Sequence, residues 1–406
     1  NLIVKKYWQL NPLSQSKYNQ EDYIEKIDEL FHQSIELRGR SDVPVGTFLS
    51  GGLDSSSITA LFCQRSNKNI HTFCMDFEGK DFNEGYFAQR VANRYNTIHH
   101  PLSLNLSQAL AELDELLPLM DEPMADSAII PSYILSKNAR QNNIPVMLSG
   151  AGGDELFGGY GRHYPNKYNK ISGKLPLAPI SLWYLMGKTI SRNMMHYGIV
   201  SWDKGLAFGV GTSGIHLGYL DYLTNGSKFF KSAIELTKNQ FSDLRNKDKK
   251  YGHSYGCMLT DIQNYLVDNV LAITDKTSMA ASIEARVPLL DHNLVEMVFS
   301  VQSSINIGTN GFINSKQTLK KISERLLPDE ILNRQKVGFN APVNSWIHSG
   351  NEIIEERVKN LRHPALAEIF NRNSISNLWD NPKKRKSASE SIFMIYILDK
   401  WLEIHA

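Results

Sequence analysis

The chain has 406 residues, with 44 lysines and arginines against 42 aspartates and glutamates and a formal net charge of +2. So even a balance argues against a nucleic-acid footprint or an anionic membrane surface as partner, and the length fits two domains or one large α/β domain with a helical extension. Cys63, Cys74 and Cys257 lie far apart without C-x-x-C spacing, which speaks against a disulfide framework, a zinc site or a redox pair and for a reducing cytoplasm.

In chain order, no charged-then-apolar signal segment opens the sequence, and the first residue is Asn1, so the chain reads as a piece of something longer. From Pro44 to Leu148, strand-length apolar runs alternate with helical patterns. Strands are predicted at Val45 to Leu49, Ile70 to Met75, Thr97 to Leu102 and Pro145 to Leu148. Helical spacing covers Ile58 to Gln64, Glu84 to Tyr95, Leu106 to Leu116 and Ala128 to Arg140. This alternation predicts an α/β fold, a parallel sheet with helices on both faces. His99 and His100 follow a strand without nearby carboxylates and are read as packing or surface residues. Beyond Tyr164 the β-branched runs thin out, which predicts a helical C-terminal lobe packed on the sheet. Leu175 to Gly187, the longest apolar stretch, is interrupted by Pro179 and too short to span a bilayer, and reads as a buried or half-buried helix. The basic run Lys383 to Lys386 reads as a solvated stretch before a final apolar helix.

Two predicted strands end in the same letters, Leu49-Ser50-Gly51 and Leu148-Ser149-Gly150, and each is followed by glycine and then an aspartate, Asp54 or Asp154. In an open parallel sheet, ligands bind beyond the carboxyl ends of the strands where strand order reverses. If the two strands are neighbours, both loops face one pocket. Ser50, Gly51 and Gly52 allow a tight turn that aims N–H groups at an anion, and a helix starting near Leu53 adds its positive end. Ser55, Ser56 and Ser57 add hydroxyl donors. Asp54 would repel phosphate unless a divalent cation lies between them, and Mg²⁺ binds through one or two carboxylates plus phosphates, with Asp154 as the second carboxylate. The lysine of a P-loop is absent, Glu155 replaces the small residue of a dinucleotide fingerprint, and no Gly-x-Ser-x-Gly elbow occurs.

"SGGLDSS" resembles the pyrophosphate-binding loop (PP-loop) of the ATP pyrophosphatase class. With "SDVPVGTFLSGGLDSS", "LSGAGGDELFGGY", "SIEARVPLLDHNLVE" and "RQKVGFNAPVNSWI", spread from Ser41 to Ile347, the chain resembles the synthetase domain of glutamine-dependent asparagine synthetases. The resemblance implies an adenine nucleotide alpha hydrolase-like fold and an enzyme that adenylates a carboxylate with ATP, releases pyrophosphate and lets ammonia displace AMP. It divides the chain into a linker remnant over 1–20, an ATP-binding core over 21–164, a helical insertion over 165–255 and a helical lobe over 256–406 that completes the site. It implies that Ser50, Gly51, Gly52, Asp54 and Ser55 hold pyrophosphate, that Asp54 and Asp154 hold Mg²⁺, and that Leu49, Met75, Ser149 and Gly150 line the adenosine side. Lys336 becomes the candidate cation for charge at the α-phosphorus, and Arg286 the candidate for orienting a substrate carboxylate. For Arg286 an ion pair with Glu284 is the competing reading.

Two departures qualify the resemblance. Full-length relatives carry an N-terminal glutaminase domain, whereas this chain starts at Asn1 with "KKYWQLNP" resembling the interdomain link, so the ammonia source is expected to be a glutaminase domain, a partner chain or solution. Asparagine-forming members read Ser-Gly-Glu-Gly where this chain reads Ser149-Gly150-Ala151-Gly152. Ala151 cannot meet the amino end of a substrate or take a proton, so free aspartate is the weakest expectation and another small-molecule carboxylate, on a peptide or polysaccharide, competes with it. Asp126 and Glu155 are near enough in sequence to supply the lost carboxylate. A non-catalytic nucleotide-binding paralogue is disfavoured by intact Asp54, Asp154 and Lys336. A homodimer remains open, and neither nucleic acid nor membrane is expected as partner.

Overall fold

The alternation over the first half of the chain produces four of the five parallel strands in the computed structural model, which describes residues 4–13, 18–66, 69–77, 84–164, 203–213, 216–307, 315–334 and 338–406. The elements that place the site are α1 (Gln20–Gly39), β1 (Val45–Phe48), α2 (Leu53–Arg65), β2 (His71–Phe77), α3 (Glu84–Arg94), β3 (Ile98–Leu104), α4 (Leu106–Leu116), α5 (Ile129–Gln141), β4 (Val146–Leu148), α6 (Gly153–Phe157) and β5 (Glu284–Arg286). Strand order is β3-β2-β1-β4-β5. β1 pairs with β4 in the register Val45 to Val146 and Thr47 to Leu148, so the order reverses between the two strands that end in Leu-Ser-Gly. The edge strand β3 accommodates Pro101, whose missing N–H would be costly in a central strand.

Each face of the sheet is buried by helices. On one face Tyr23, Ile27, Phe31 and Ile35 recur at four-residue spacing along α1 and pack with Ile58 and Leu61 of α2 and with Leu294 and Val298 from the C-terminal half. On the other, Leu110, Leu113 and Leu116 of α4 and Ile129 and Tyr133 of α5 pack with Ile392, Phe393 and Tyr396 of the final helix, Ser389–His405. The helical lobe therefore covers both faces. It also supplies β5, which the sequence reading did not anticipate: three residues without a β-branched run carry no strand signal of their own and pair only because β4 is there.

His100 stacks on Phe73 with ring centroids 4.5 Å apart and His99 Nδ1 lies 2.8 Å from Thr72 Oγ1, so both serve cross-strand packing. Lys383, Lys384 and Lys386 are exposed on the short helix Pro382–Ser387. The expected helix at Leu175 to Gly187 lies outside the described residues, among which no helix is long and apolar enough to cross a membrane.

Candidate active site

Because β1 and β4 are adjacent, the chain leaving each turns into the same crevice. Gly51 adopts φ +69°, and a methyl there would lie 2.5 Å from the Ala88 N and 2.6 Å from the Phe87 Cβ, so only glycine lets the first loop pass against α3. Gly150 and Gly153 bring the second loop against the first: methyl groups there would lie 3.1 Å from the Ser55 N and 2.5 Å from the Asp54 Cγ. A cavity of about 680 Å³ opens above the two loops. Leu49, Ser50, Gly52, Asp54, Ser55, Met75, Ser149, Gly150 and Asp154 all line it. Gly51 does not, and its role is the turn. The Ser50 and Ser55 hydroxyls lie 3.1 Å apart, and the Ser50 N–H donates to Ser55 Oγ at 3.2 Å. Ser56 and Ser57 are buried behind them, with Ser57 Oγ donating to the Leu53 carbonyl and paired with Ser323 Oγ, so they offer nothing to a ligand.

Two sequence-based candidates fall elsewhere. Arg286 is not on the cavity wall: its guanidinium donates to both carboxylate oxygens of Glu284 and to the carbonyls of Arg38 and Arg40, each at 2.8 Å. The structural ion pair is the reading that geometry favours, with Arg286 tying β5 to the end of α1. Lys336 lies outside the described residues.

Three cations on the wall escaped the sequence reading. Lys316, buried and in left-handed backbone at φ +59°, places its Nζ 2.5 Å from Asp54 Oδ2 and 2.6 Å from Asp154 Oδ1. Burial alone would lower the pKa of this ammonium, but the two carboxylates outweigh it and raise it. Lys320, one turn on in the helix Gln317–Ser323, also lines the cavity, its pKa lowered by burial and by the charge of Lys316. Arg334 donates to the Ser50 carbonyl at 3.1 Å and stacks 4.5 Å over the Phe87 ring. The four-residue spacing of Lys316 and Lys320 was visible, but nothing local distinguished it from a solvated helix face. Asp54 and Asp154 converge on one ammonium from two loops, so they present hard oxygen donors to a single cation position. That donor type and number suit Mg²⁺ completed by phosphate oxygens.

Ala151 lies on the same wall, as do Glu155 and Asp126. Tyr160 donates its hydroxyl to Glu155 Oε1 at 2.7 Å. Burial pushes the Glu155 carboxyl up to about 7, the Asp154 charge adds to the rise, and the Tyr160 hydrogen bond opposes it. Between the ordinary glutamate value and this raised one, the folded state holds more protons than the unfolded state, so the stability Glu155 contributes at low pH is lost as pH rises through that window. Glu155→Gln keeps an acceptor for Tyr160 without the titration. It is expected to gain on the unaltered chain by up to about 3 kcal/mol between roughly pH 5 and pH 8. Urea unfolding at the two pH values checks this, and a pH-independent difference would contradict it.

Asp126 Oδ2 accepts from Asn269 Nδ2 at 2.8 Å, while Oδ1 accepts from the Ala128 N–H at 2.9 Å and from Asn340 Nδ2 at 3.4 Å. Asn269 belongs to a π-helical stretch, Leu266–Leu271, a distortion that recurs at functional sites. The cavity wall thus carries cations and hydroxyls around the two loops and, on Asp126, a carboxylate held by amides.

Comparison with known proteins bears on this arrangement. The family model described as asparagine synthase matches residues 26–403. Asparagine synthetase [glutamine-hydrolyzing] 1 of Bacillus subtilis is 28% identical over 100% of this chain and 63% of its own length. A putative asparagine synthetase [glutamine-hydrolyzing] of Mycobacterium tuberculosis is 32% identical over 83% of this chain and 51% of its own length. Amidase chry2 of Gibberella zeae is 21% identical over 92% of this chain and 59% of its own length. The chain spans less than two thirds of the length of each of these relatives.

Proposed function

The chain belongs to the asparagine synthase family, and from that premise we propose that it is an ATP-dependent, AMP-forming amide ligase. The observation that carries this reading is the convergence of Ser50, Ser55, Asp54 and Asp154 from the two Leu-Ser-Gly loops, with Lys316, on one cavity. A substrate carboxylate oxygen attacks the α-phosphorus of ATP, the bond to the β-phosphate breaks and pyrophosphate leaves. Ammonia then attacks the acyl carbon, and AMP departs as the amide forms. The loop N–H groups, the two hydroxyls and the N-terminus of α2 face the departing β,γ-phosphates. Lys316 and Lys320 add positive charge at that end, and Lys336 is proposed for the charge that develops at the α-phosphorus. Asp54 and Asp154 would hold Mg²⁺, which when bound neutralises phosphate charge. Leu49, Met75, Ser149 and Gly150 are proposed to meet adenosine.

The nitrogen source is proposed to be a glutaminase region or a partner chain delivering ammonia, in a cytoplasmic setting. Ala151 favours an acceptor other than free aspartate, because a methyl group provides no partner for the ammonium of that substrate. Product analysis tests the central claim. The expected products are AMP and pyrophosphate, since the loop lacks the lysine of loops that transfer the γ-phosphate, and ADP with inorganic phosphate would refute it.

A further inference from the structure

The loop after β1 holds much of its own shape: the Ser50 N–H donates to Ser55 Oγ, the Gly52 N–H to Ser50 Oγ, and the Gly52 carbonyl accepts from the Ser56 N–H. None of these contacts fixes the peptide between Ser50 and Gly51. Gly51 stands at φ +69°, and glycine adopts either sign of φ, so its own preference does not choose how that peptide is turned. The choice falls to a side chain 284 positions away. Arg334 Nη1 donates to the Ser50 carbonyl at 3.1 Å, the one donor that carbonyl has among the described residues. Arg334 is placed in turn by α3: its guanidinium lies 4.5 Å over the Phe87 ring and 3.5 Å from Glu84 Oε1, and the two charged side chains are only 8% and 4% exposed. Phe87 is also the residue whose Cβ a methyl at Gly51 would meet at 2.6 Å. The turn of α3 that leaves room only for glycine therefore also seats the arginine that holds the carbonyl. A buried ion pair adds little net stability over an apolar pair, so stability alone does not account for this one.

We propose that Arg334 is a positioning residue for the phosphate end. By holding the Ser50 carbonyl it keeps the Ser50–Gly51 peptide in the orientation that leaves the loop's other N–H groups and hydroxyls to an anion, and Glu84 keeps Arg334 in place. The inference rests on the ligase reading for pyrophosphate as the ligand of this loop. A carbonyl oxygen free to swing into the cavity would repel the phosphate oxygens. Arg334 acts through the backbone, and Glu84 offsets its charge.

The test is the equilibrium binding of pyrophosphate and of AMP, each with Mg²⁺, to the full chain by isothermal titration calorimetry. Arg334→Met is expected to weaken pyrophosphate binding by about ten-fold or more, since a charge-assisted hydrogen bond no longer holds the loop, while AMP affinity stays within about three-fold. Glu84→Gln separates positioning from direct contact, because it removes a negative charge beside the site and leaves the arginine. Positioning requires weaker pyrophosphate binding, by about three-fold or more. An arginine that itself touched the phosphates would be freed by this change, and pyrophosphate would bind more tightly. Unchanged pyrophosphate affinity in Arg334→Met, a loss of AMP affinity as large as that of pyrophosphate, or unchanged or tighter pyrophosphate binding in Glu84→Gln would each overturn the proposal. A lower urea midpoint in both variants with both affinities kept would make the pair purely structural and overturn it too. If Arg334→Met does not fold, the direction of the Glu84→Gln change decides. Failure of the unaltered chain to bind pyrophosphate would sink the ligase reading of the loop and the proposal with it, whereas pyrophosphate binding that both variants leave untouched sinks the proposal alone.

Discussion

Lys316→Met is expected to abolish turnover and to destabilise the fold at the same time. The Nζ of Lys316 lies within 2.6 Å of carboxylate oxygens from both loops, and the residue is buried. Methionine fills a similar volume without charge, so Asp54 and Asp154 would face each other with no cation between them. Removing one partner from a buried ionic cluster typically costs about 3–5 kcal/mol. The loss should appear as a lower urea midpoint near neutral pH. For the unaltered chain the sign follows from the raised pKa: the Lys316 contribution is fully present below the unfolded lysine value, about 10.4, and is lost only as pH rises through the higher folded value. On the alkaline side, the stability gap between the two proteins should therefore hold until pH rises above the ordinary lysine range and narrow beyond it. Pyrophosphate exchange should fall by about a hundred-fold or more, comparable to losing one preorganised donor to a transition-state oxygen. Exchange within ten-fold of the unaltered chain would remove Lys316 from the proposed phosphate end.

Asp54→Asn is expected to lose as much activity with a smaller loss of stability. Asp54 sits in the first turn of α2, and the glycine at 153 is what lets the second loop close against its carboxylate. Asparagine preserves the shape but removes the charge assigned to the metal. Exchange should drop by about a hundred-fold or more, since metal-ion charge stabilisation is worth several kcal/mol, and excess Mg²⁺ should not restore it. Lys316 would keep Asp154 as partner, so the fold should lose only about 1–3 kcal/mol. Near-normal exchange at any Mg²⁺ concentration would mean that Asp54 does not bind the metal. A stability loss as large as that of Lys316→Met would mean that Asp54 carries most of the ion cluster.

The repeated Leu-Ser-Gly endings were legible because a strand that stops in a glycine turn and restarts as a helix is a local event, written in consecutive residues. The predicted strands recur in the sheet with boundaries shifted by no more than a few residues, Thr97 to Leu102 becoming Ile98–Leu104, for example. Arg286 shows the limit of motif reasoning. The arginine lies within a stretch that resembles the family, but its planar donors are satisfied by Glu284 and by two carbonyls at the end of α1, segments whose approach no local pattern announces.

By itself, the sequence determined the parallel α/β core and the two loops with their serines, glycines and aspartates, since hydrophobic period, glycine placement and helix starts act over a few residues. Only the tertiary structure decided that Gly51 turns away from the cavity, that Ser56 and Ser57 are buried behind Ser55, and that β5 joins the sheet. It alone showed that Lys316 meets Asp54 across 262 positions of chain, and that Asn269 and Asn340 meet at Asp126. Long-range pairs of this kind are selected by the packing of whole elements. A lysine that ends buried between two carboxylates carries the same local signal as one left in solvent.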